Sequence, residues 1–241
     1  MRVVIAPDSF KGTATAAEAA SWLADGWKAQ RPADDVQLLP MADGGEGTLA
    51  AFAEKGRRMS LTVAGPDGRP HLAEWLLLPD DTAVIELAAT SGITLMPQLD
   101  ALHAHARGFG QAIVAALDAG ATRLLLALGG SASTDGGASV LAELGMRLLD
   151  ATGQHIPLGN AGLERLASID TSAMRSLPSR GVTLLADVTS PLLGDAGAAA
   201  VFGPQKGARP DQIAAMERRL ATLALLLGSD PGARGAGAAR R

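Results

Sequence analysis

The chain has 241 residues, of which 47% are hydrophobic and 19% are charged, and its net charge is −4. This composition argues against a disordered chain, and the charge gives no basic surface to attract nucleic acid. The absence of Cys excludes disulfides and thiolate chemistry, and the absence of Tyr, with few Phe and Trp, disfavours a base-stacking surface. No apolar run is long enough to span a membrane. We therefore expect a soluble, cytoplasmic protein without nucleic-acid or membrane partners.

The first 56 residues alternate short apolar strands with helices. Strands are predicted at residues 2–6 and 36–39, each ended by a proline. Thr15 and Glu18 have the spacing of a capping box, which predicts a helix start at that point. One face of this helix is apolar and is expected to be buried: Ala16, Ala19, Ala20, Leu23 and Trp27. A second helix is predicted at residues 49–55, and the whole β-loop-α-β-loop-α pattern is typical of a parallel sheet.

The alternation of strands and helices ends near residue 60, where turns begin to separate successive strands. The segments 61–63 and 73–78 flank a Gly-Pro-Asp-Gly turn and are predicted to pair antiparallel. Further strands are predicted at residues 82–87, 123–128, 146–149 and 182–185. Helices are predicted at residues 110–119, 137–144 and 212–227, with a short helix opening at 88–92. Residues 153–178 are interpreted as mostly loop with one short helix near Leu163, and Trp22, Trp27 and Trp75 as core or edge packing.

The first of three candidate ligand loops follows the first strand. Asp8, Ser9 and Lys11 place a carboxylate, a hydroxyl and an ammonium just before a helix. Free backbone N–H groups and the helix dipole make such a place suitable for an anion. The alternative is that Asp8 is a turn residue and Lys11 is solvated.

The second candidate loop, residues 42–48, contains three Gly and two acids. Gly44 and Gly45 allow a ligand to approach the backbone closely. Asp43 and Glu46 could hold Mg²⁺ or accept a hydrogen bond from a hydroxyl. The alternative is a glycine-rich turn whose acids cap the next helix.

The third candidate loop, residues 128–137, follows a strongly apolar strand and combines Gly with hydroxyl side chains. This composition suits a backbone nest for phosphate oxygens, although neither a Walker A motif nor G-x-G-x-x-G is present. A flexible linker is the alternative, and the preceding buried strand disfavours it. Two further candidates follow later in the chain: Asp187 at a strand end and Lys206 in a Gly-Pro-Gln-Lys-Gly turn.

Taken together, these loops resemble those of the bacterial glycerate kinase family, whose members phosphorylate glycerate with ATP. Seven ordered segments carry the resemblance: VIAPDSFKGT (4–13), PMADGGEGT (40–48), VIELAATSGI (84–93), LGGSASTDGG (128–137), LASID (166–170), ADVTSPLLG (186–194) and AAAVFGPQKGA (198–208). The resemblance covers nearly the whole chain up to Leu227.

The resemblance implies two α/β domains, the larger inserted into the smaller. Residues 1–62 are then the N-terminal part of a discontinuous domain, and 63–228 are the inserted domain. Residues 229–241 are interpreted as a disordered tail, because they contain no large apolar side chain. The chain ends about two-thirds of the way along the family's usual length, so we expect it to be C-terminally truncated and to lack the part that completes the first domain.

The implied activity is phosphoryl transfer from ATP to a glycerate hydroxyl, with Mg²⁺ neutralising charge. We assign the phosphate cradle to Gly129, Gly130, Ser131 and Ser133. Lys11 and Lys206 are expected to neutralise phosphate or the glycerate carboxylate, and Asp187 to act as the base. The remaining acids, Asp8, Asp43, Glu46 and Asp135, are candidates for Mg²⁺ or substrate hydroxyls, with Glu46 and Asp135 the expected metal ligands.

Two alternatives to the kinase remain open at this point. One is a truncated, inactive module that binds a small hydroxy acid, and the other is a metal-dependent phosphatase that uses the same acids. A homo-oligomer is possible, and the sequence does not specify whether 2- or 3-phosphoglycerate would be the product.

Overall fold

A computed structural model describes residues 1–10, 13–233 and 235–237 of the chain as a mixed α/β protein. The strands are β1 (Arg2–Ile5), β2 (Asp35–Leu38), β3 (Arg57–Ala64), β4 (Pro70–Leu77), β5 (Thr82–Glu86), β6 (Arg123–Ala127), β7 (Arg147–Leu149), β8 (Ser168–Asp170) and β9 (Val182–Leu185). The α-helices are α1 (Ala16–Gln30), α2 (Thr48–Phe52), α3 (Leu87–Ser91), α4 (Arg107–Asp118), α5 (Ala138–Glu143), α6 (Gly159–Gly162), α7 (Ala198–Phe202) and α8 (Pro210–Leu226). Three short 3₁₀ turns lie at Ile93–Leu95, Leu163–Arg165 and Pro204–Lys206.

The largest sheet has five strands in the order β3-β4-β5-β6-β9. β3 and β4 pair antiparallel, as the turn at residues 65–68 predicted, and so do β4 and β5, whereas β5, β6 and β9 pair parallel. The sheet is therefore mixed. Its parallel half directs the carboxyl ends of three strands toward the same edge, which is where ligands bind in α/β sheets.

The central strand β5 is buried over its whole length, because β4 and β6 pair with it and α4 packs against it. The apolar residues of α4 that enter this core recur at helical spacing, which explains why the segment forms an amphipathic helix. They are Phe109, Ala112, Ile113 and Ala116, which join Ala83, Ile85, Leu124 and Leu126 of the sheet.

A second apolar core surrounds α8. The helix predicted at residues 212–227 is confirmed, and its Met216, Leu220 and Leu223 are buried there. They pack with Leu148 of β7 and with α7. The two-stranded antiparallel pair β7–β8 borders this core. The prediction that residues 153–178 are mostly loop with a short helix near Leu163 is confirmed. β8 was not predicted, because its three residues hold one apolar side chain and so give little strand signal.

β1 and β2 form a separate parallel pair covered by α1. The predicted capping box of α1 is confirmed: Thr15 N–H donates to the Glu18 carboxylate at 2.8 Å, and Glu18 N–H donates to Thr15 Oγ1 at 3.2 Å. The predicted buried face is wrong in part. Ala19, Ala20 and Ala24 are buried, whereas Leu23, Trp22 and Trp27 are exposed.

Two boundaries differ from the sequence-based expectation. Residue 62 lies inside β3, so the change from the small sheet to the large sheet comes before Arg57. In the described part of the predicted tail, Pro231 accepts a hydrogen bond from Leu192 N–H at 2.9 Å, and Gly237 N–H donates to Ser190 at 2.9 Å. The predicted disorder therefore does not hold at Pro231 and Gly237, which are hydrogen-bonded to the segment after β9. Residues 234 and 238–241 lie outside the described part.

Two helical glycines provide a matched test of the packing. A Cβ at Gly108, in α4, would lie 2.2 Å from the Ala64 carbonyl oxygen, whereas a Cβ at Gly26, in α1, would meet nothing within 4 Å. We expect Gly108→Ala to lower the free energy of unfolding by about 1–3 kcal/mol through overpacking. Gly26→Ala should raise it by up to about 1 kcal/mol through helix propensity. Urea denaturation measures both, and equal effects would contradict this packing.

Candidate functional site

Three loops meet at the carboxyl edge of the parallel strands. Residues 128–137 follow β6, residues 87–93 follow β5, and residues 186–188 follow β9. Gly130 accepts a hydrogen bond from Ile93 N–H at 2.9 Å, and Ala132 N–H donates to Ser91 at 3.1 Å. The segment after β5 therefore supports the glycine-rich loop after β6.

The acid-rich loop from the small sheet reaches the same edge. Gly129 N–H donates to the Gly44 carbonyl at 2.9 Å. A Cβ at Gly129 would lie 2.6 Å from Gly45 Cα, and one at Gly44 would lie 2.8 Å from Leu185 backbone atoms. Only glycine allows backbones to approach this closely. The structure thus brings Gly44, Gly45 and Gly129 together, as expected for loops that share a site.

Lys206, the last residue of the 3₁₀ turn at Pro204–Lys206, is hydrogen-bonded to the glycine-rich loop. It is only 8% exposed. Its ammonium donates to Ser131 Oγ at 2.9 Å and to the Ser133 carbonyl oxygen. Burial lowers the pKa of Lys206 to about 8, and the negative charge of Asp135 opposes that shift. Ser131, Ser133 and Lys206 therefore form one polar cluster.

Asp135 is buried and hydrogen-bonded by its own turn. Gly137 N–H donates to one carboxylate oxygen at 3.1 Å, and Ser139 donates to the other through its N–H, at 3.2 Å, and its hydroxyl. Asp135 thereby anchors the start of α5. Within residues 1–10, 13–233 and 235–237, no three His, Asp or Glu side chains form a metal-binding group.

The other predicted acids lie on exposed positions. Asp43 is exposed and accepts a hydrogen bond from Gly45 N–H at 3.0 Å, and Glu46, three residues further along the chain, is exposed as well. Asp187 is exposed two residues beyond β9.

The first candidate loop is described only in part. Asp8 accepts a hydrogen bond from Ser9 N–H at 2.6 Å. Met41 N–H donates to the Pro7 carbonyl at 2.9 Å, which places this loop beside the chain that enters the acid-rich loop. Lys11, predicted to act in catalysis, lies outside the described residues.

Sequence reasoning missed Glu86, which ends β5 and is 5% exposed. Its two carboxylate oxygens accept hydrogen bonds from Gly47 N–H at 3.3 Å and Leu49 N–H at 2.9 Å. Burial raises the pKa of Glu86, although those N–H groups oppose the rise, and the charge of Glu46 adds to it. A lone carboxylate at the end of an otherwise apolar strand was the available signal.

The fold and the site define a mixed α/β protein whose glycine-rich and acid-rich loops meet at one sheet edge, next to a buried ammonium. The glycerate kinase family model matches residues 3–239. The chain belongs to the glycerate kinase family.

Curated relatives agree with this assignment. The chain is 45% identical over 230 residues to a glycerate kinase of Bacillus subtilis (strain 168), covering 93% of this chain and 60% of the relative. It is 41% identical over 226 residues to a glycerate 2-kinase of Escherichia coli (strain K12), covering 91% of this chain and 59% of the relative. The chain thus spans about 60% of the length of these relatives.

A solved structure agrees as well. The crystal structure of a Salmonella typhimurium LT2 protein provisionally named glycerate kinase 2 matches with a TM-score of 0.86 at 43% identity. The match covers 99% of this chain and 68% of that one. None of the helices in the described ranges is long and apolar enough to cross a membrane.

The buried ammonium gives a testable pH dependence. Because the pKa of Lys206 falls from 10.5 to about 8 on folding, the unfolded chain holds a proton between these values that the folded chain has released. The contribution of Lys206 to stability therefore rises with pH across this window, by up to about 3 kcal/mol. We expect the difference in free energy of unfolding between wild type and Lys206→Met to move in favour of wild type from pH 8 to pH 10.5.

Lys28→Met, which removes an exposed ammonium from α1, is the matched control. The chain has no Tyr or Cys that would titrate in the same range. A difference that stays constant from pH 8 to 10.5 for Lys206→Met would contradict the buried environment of this side chain.

Proposed function

We propose that the chain contributes to phosphoryl transfer from ATP to a hydroxyl of glycerate, yielding phosphoglycerate and ADP. The observation that carries the proposal is the convergence of the acid-rich loop and the glycine-rich loop at Gly44, Gly45 and Gly129. Family membership and the names of the relatives favour the kinase over the hydroxy-acid-binding module and the phosphatase.

In the proposed mechanism, the nucleotide phosphates bind at residues 129–133. Backbone N–H groups at small residues suit phosphate oxygens. Lys206 already donates to Ser131 Oγ, so the Ser131 hydroxyl hydrogen is free to turn toward a phosphate. Lys206 both orders the loop and supplies positive charge beneath it, and phosphoryl transfer requires both positioning and charge neutralisation.

Asp187 is proposed as the base. Its exposed carboxylate lies just past β9, close in sequence to Leu185, whose backbone touches Gly44. As the glycerate hydroxyl oxygen bonds to the γ-phosphorus, the bond to the bridging oxygen of ADP breaks. Asp187 accepts the hydroxyl proton. Three roles in the first loop stay predictions: Lys11 for phosphate or the glycerate carboxylate, Asp8 for Mg²⁺ or a substrate hydroxyl, and Ser9 for substrate or phosphate binding.

Mg²⁺ would neutralise phosphate charge in this reaction. Mg²⁺ is usually held by one or two carboxylates together with substrate phosphates, so the exposed Glu46, with Asp43 nearby, fits this role. Asp135, predicted as a ligand, fits less well, because three donors of its own turn already occupy its carboxylate.

The domain arrangement is also proposed, with the residues before β3, 1–56 in place of the expected 1–62, as part of a discontinuous domain. The small sheet and α1 expose large apolar side chains, and longer relatives have further chain that could cover them. The exposed residues include Val4, Leu38, Leu39, Trp22, Leu23 and Trp27. Single exposed apolar residues are ordinary, but Trp22, Leu23 and Trp27 line one depression on α1, and such a group indicates an interaction surface. Cytoplasmic location and homo-oligomerisation stay predictions.

A coupled ADP-release assay tests the function on the purified 241-residue chain beside a version extended by a relative's C-terminal segment. Glycerate-dependent ADP release by either protein supports the kinase. Glycerate binding without ADP release from both supports the binding module. Phosphate release from phosphoglycerate without ATP supports the phosphatase.

Asp187→Asn tests the proposed base in whichever version is active. Loss of the proton acceptor should lower kcat by about 100-fold or more, within the range for general base catalysis. The melting temperature should not change, because the side chain is exposed. Asp195→Asn, another exposed acid further along the same connection, is the control and should stay within twofold of wild type. Near-normal turnover in Asp187→Asn removes this residue from the role.

A further inference from the structure

The segment that begins with the last residue of β5, residues 86–93, has no role in the mechanism above, although its sequence is part of the family resemblance. We call it the bracket segment. It contacts both ligand loops at once, through a side chain at one end and through backbone groups at the other. Such a segment sets the distance between the two loops.

At its first end, Glu86 holds the acid-rich loop. One carboxylate oxygen accepts from Gly47 N–H and the other from Leu49 N–H, across 37 or more residues of chain. These N–H groups belong to the start of α2, whose first N–H groups have no partner within the helix. Hydrogen bonds to a charged acceptor are stronger than those between neutral groups.

At its other end, the bracket segment holds the glycine-rich loop. Ile93 N–H donates to the Gly130 carbonyl oxygen, and the Ser91 carbonyl oxygen accepts from Ala132 N–H. The Ser91 hydroxyl oxygen accepts a separate hydrogen bond from Phe109 N–H at 3.2 Å, which fixes the segment to α4 and so to the core. The sheet itself fixes the first end, because Glu86 is in register with Ala127 of β6.

We propose that Glu86 is a positioning residue, which holds the acid-rich loop at the distance from the glycine-rich loop that phosphoryl transfer requires. This inference rests on the proposed function for its catalytic consequence, but the hydrogen bonds it invokes are independent of it. The chemistry requires a carboxylate. A Gln at this position has one acceptor oxygen, and its NH₂ group would face the second N–H as donor against donor.

Glu86→Gln in the 241-residue chain tests the proposal by amide hydrogen exchange. We expect the Gly47 and Leu49 amides to exchange about tenfold faster, with the Ala132 amide within twofold of wild type. In the version that is active, kcat/KM should fall about tenfold. Glu74→Gln removes a carboxylate from an exposed pair with Arg58 on β4 and should leave both readouts within twofold.

Unchanged exchange at Gly47 and Leu49 would overturn the proposal, and so would equal acceleration at all amides, which indicates only a less stable chain. If Glu86→Gln fails to fold, Glu86→Asp, which keeps the charge but is one methylene shorter, is measured in the same way and must accelerate at least one of the two amides. If wild type shows no glycerate-dependent ADP release, the proposed function fails while the exchange measurement still decides the role of Glu86.

Discussion

The site depends on a contact between backbones that no side chain could tolerate. Gly129 donates to Gly44, and Gly45 lies so close that a single added methyl group would collide with it. This contact joins the small sheet to the large one at the edge where the parallel strands end. Together with the hydrogen bonds of Glu86 to the acid-rich loop, it brings the acids of one loop and the hydroxyls of the other to the same edge.

Around this contact, the buried charged side chains mainly stabilise the loops and the starts of helices. Lys206 donates hydrogen bonds to both Ser131 and Ser133. Asp135 accepts hydrogen bonds from the start of α5, and Glu86 accepts them from the start of α2. Each group satisfies backbone or hydroxyl partners in place of water, which is the condition under which buried polar groups are tolerated. The exposed acids, Asp43, Glu46 and Asp187, are the ones left available to ligands.

The sequence predicted much of this arrangement, because the signals were local. Apolar runs ended by Pro or Gly located the parallel strands, and Thr15 with Glu18 located a helix start. Other features depended on tertiary partners. Which face of α1 is covered could not be read from Leu23 and Trp27, since their periodicity fits a buried face whether or not a partner exists. β8 has too few apolar residues to signal a strand.

For the site, the loops were predictable and the individual roles were not. A carboxylate that caps its own helix, such as Asp135, and one that faces a ligand look the same in a sequence. Glu86 was missed because its partners, Gly47 and Leu49, are distant in the chain and are backbone groups, which carry no side-chain signature.

The distribution of tryptophan has a spectroscopic consequence. Trp75 is buried in the large sheet, whereas Trp22 is 60% exposed and Trp27 is 36% exposed on α1. With no tyrosine in the chain, emission comes from indole rings in two contrasting environments, a blue component from the sheet and a red component from the helix. The two halves of the molecule therefore carry their own optical reporters, and unfolding of one can be followed separately from the other without any label.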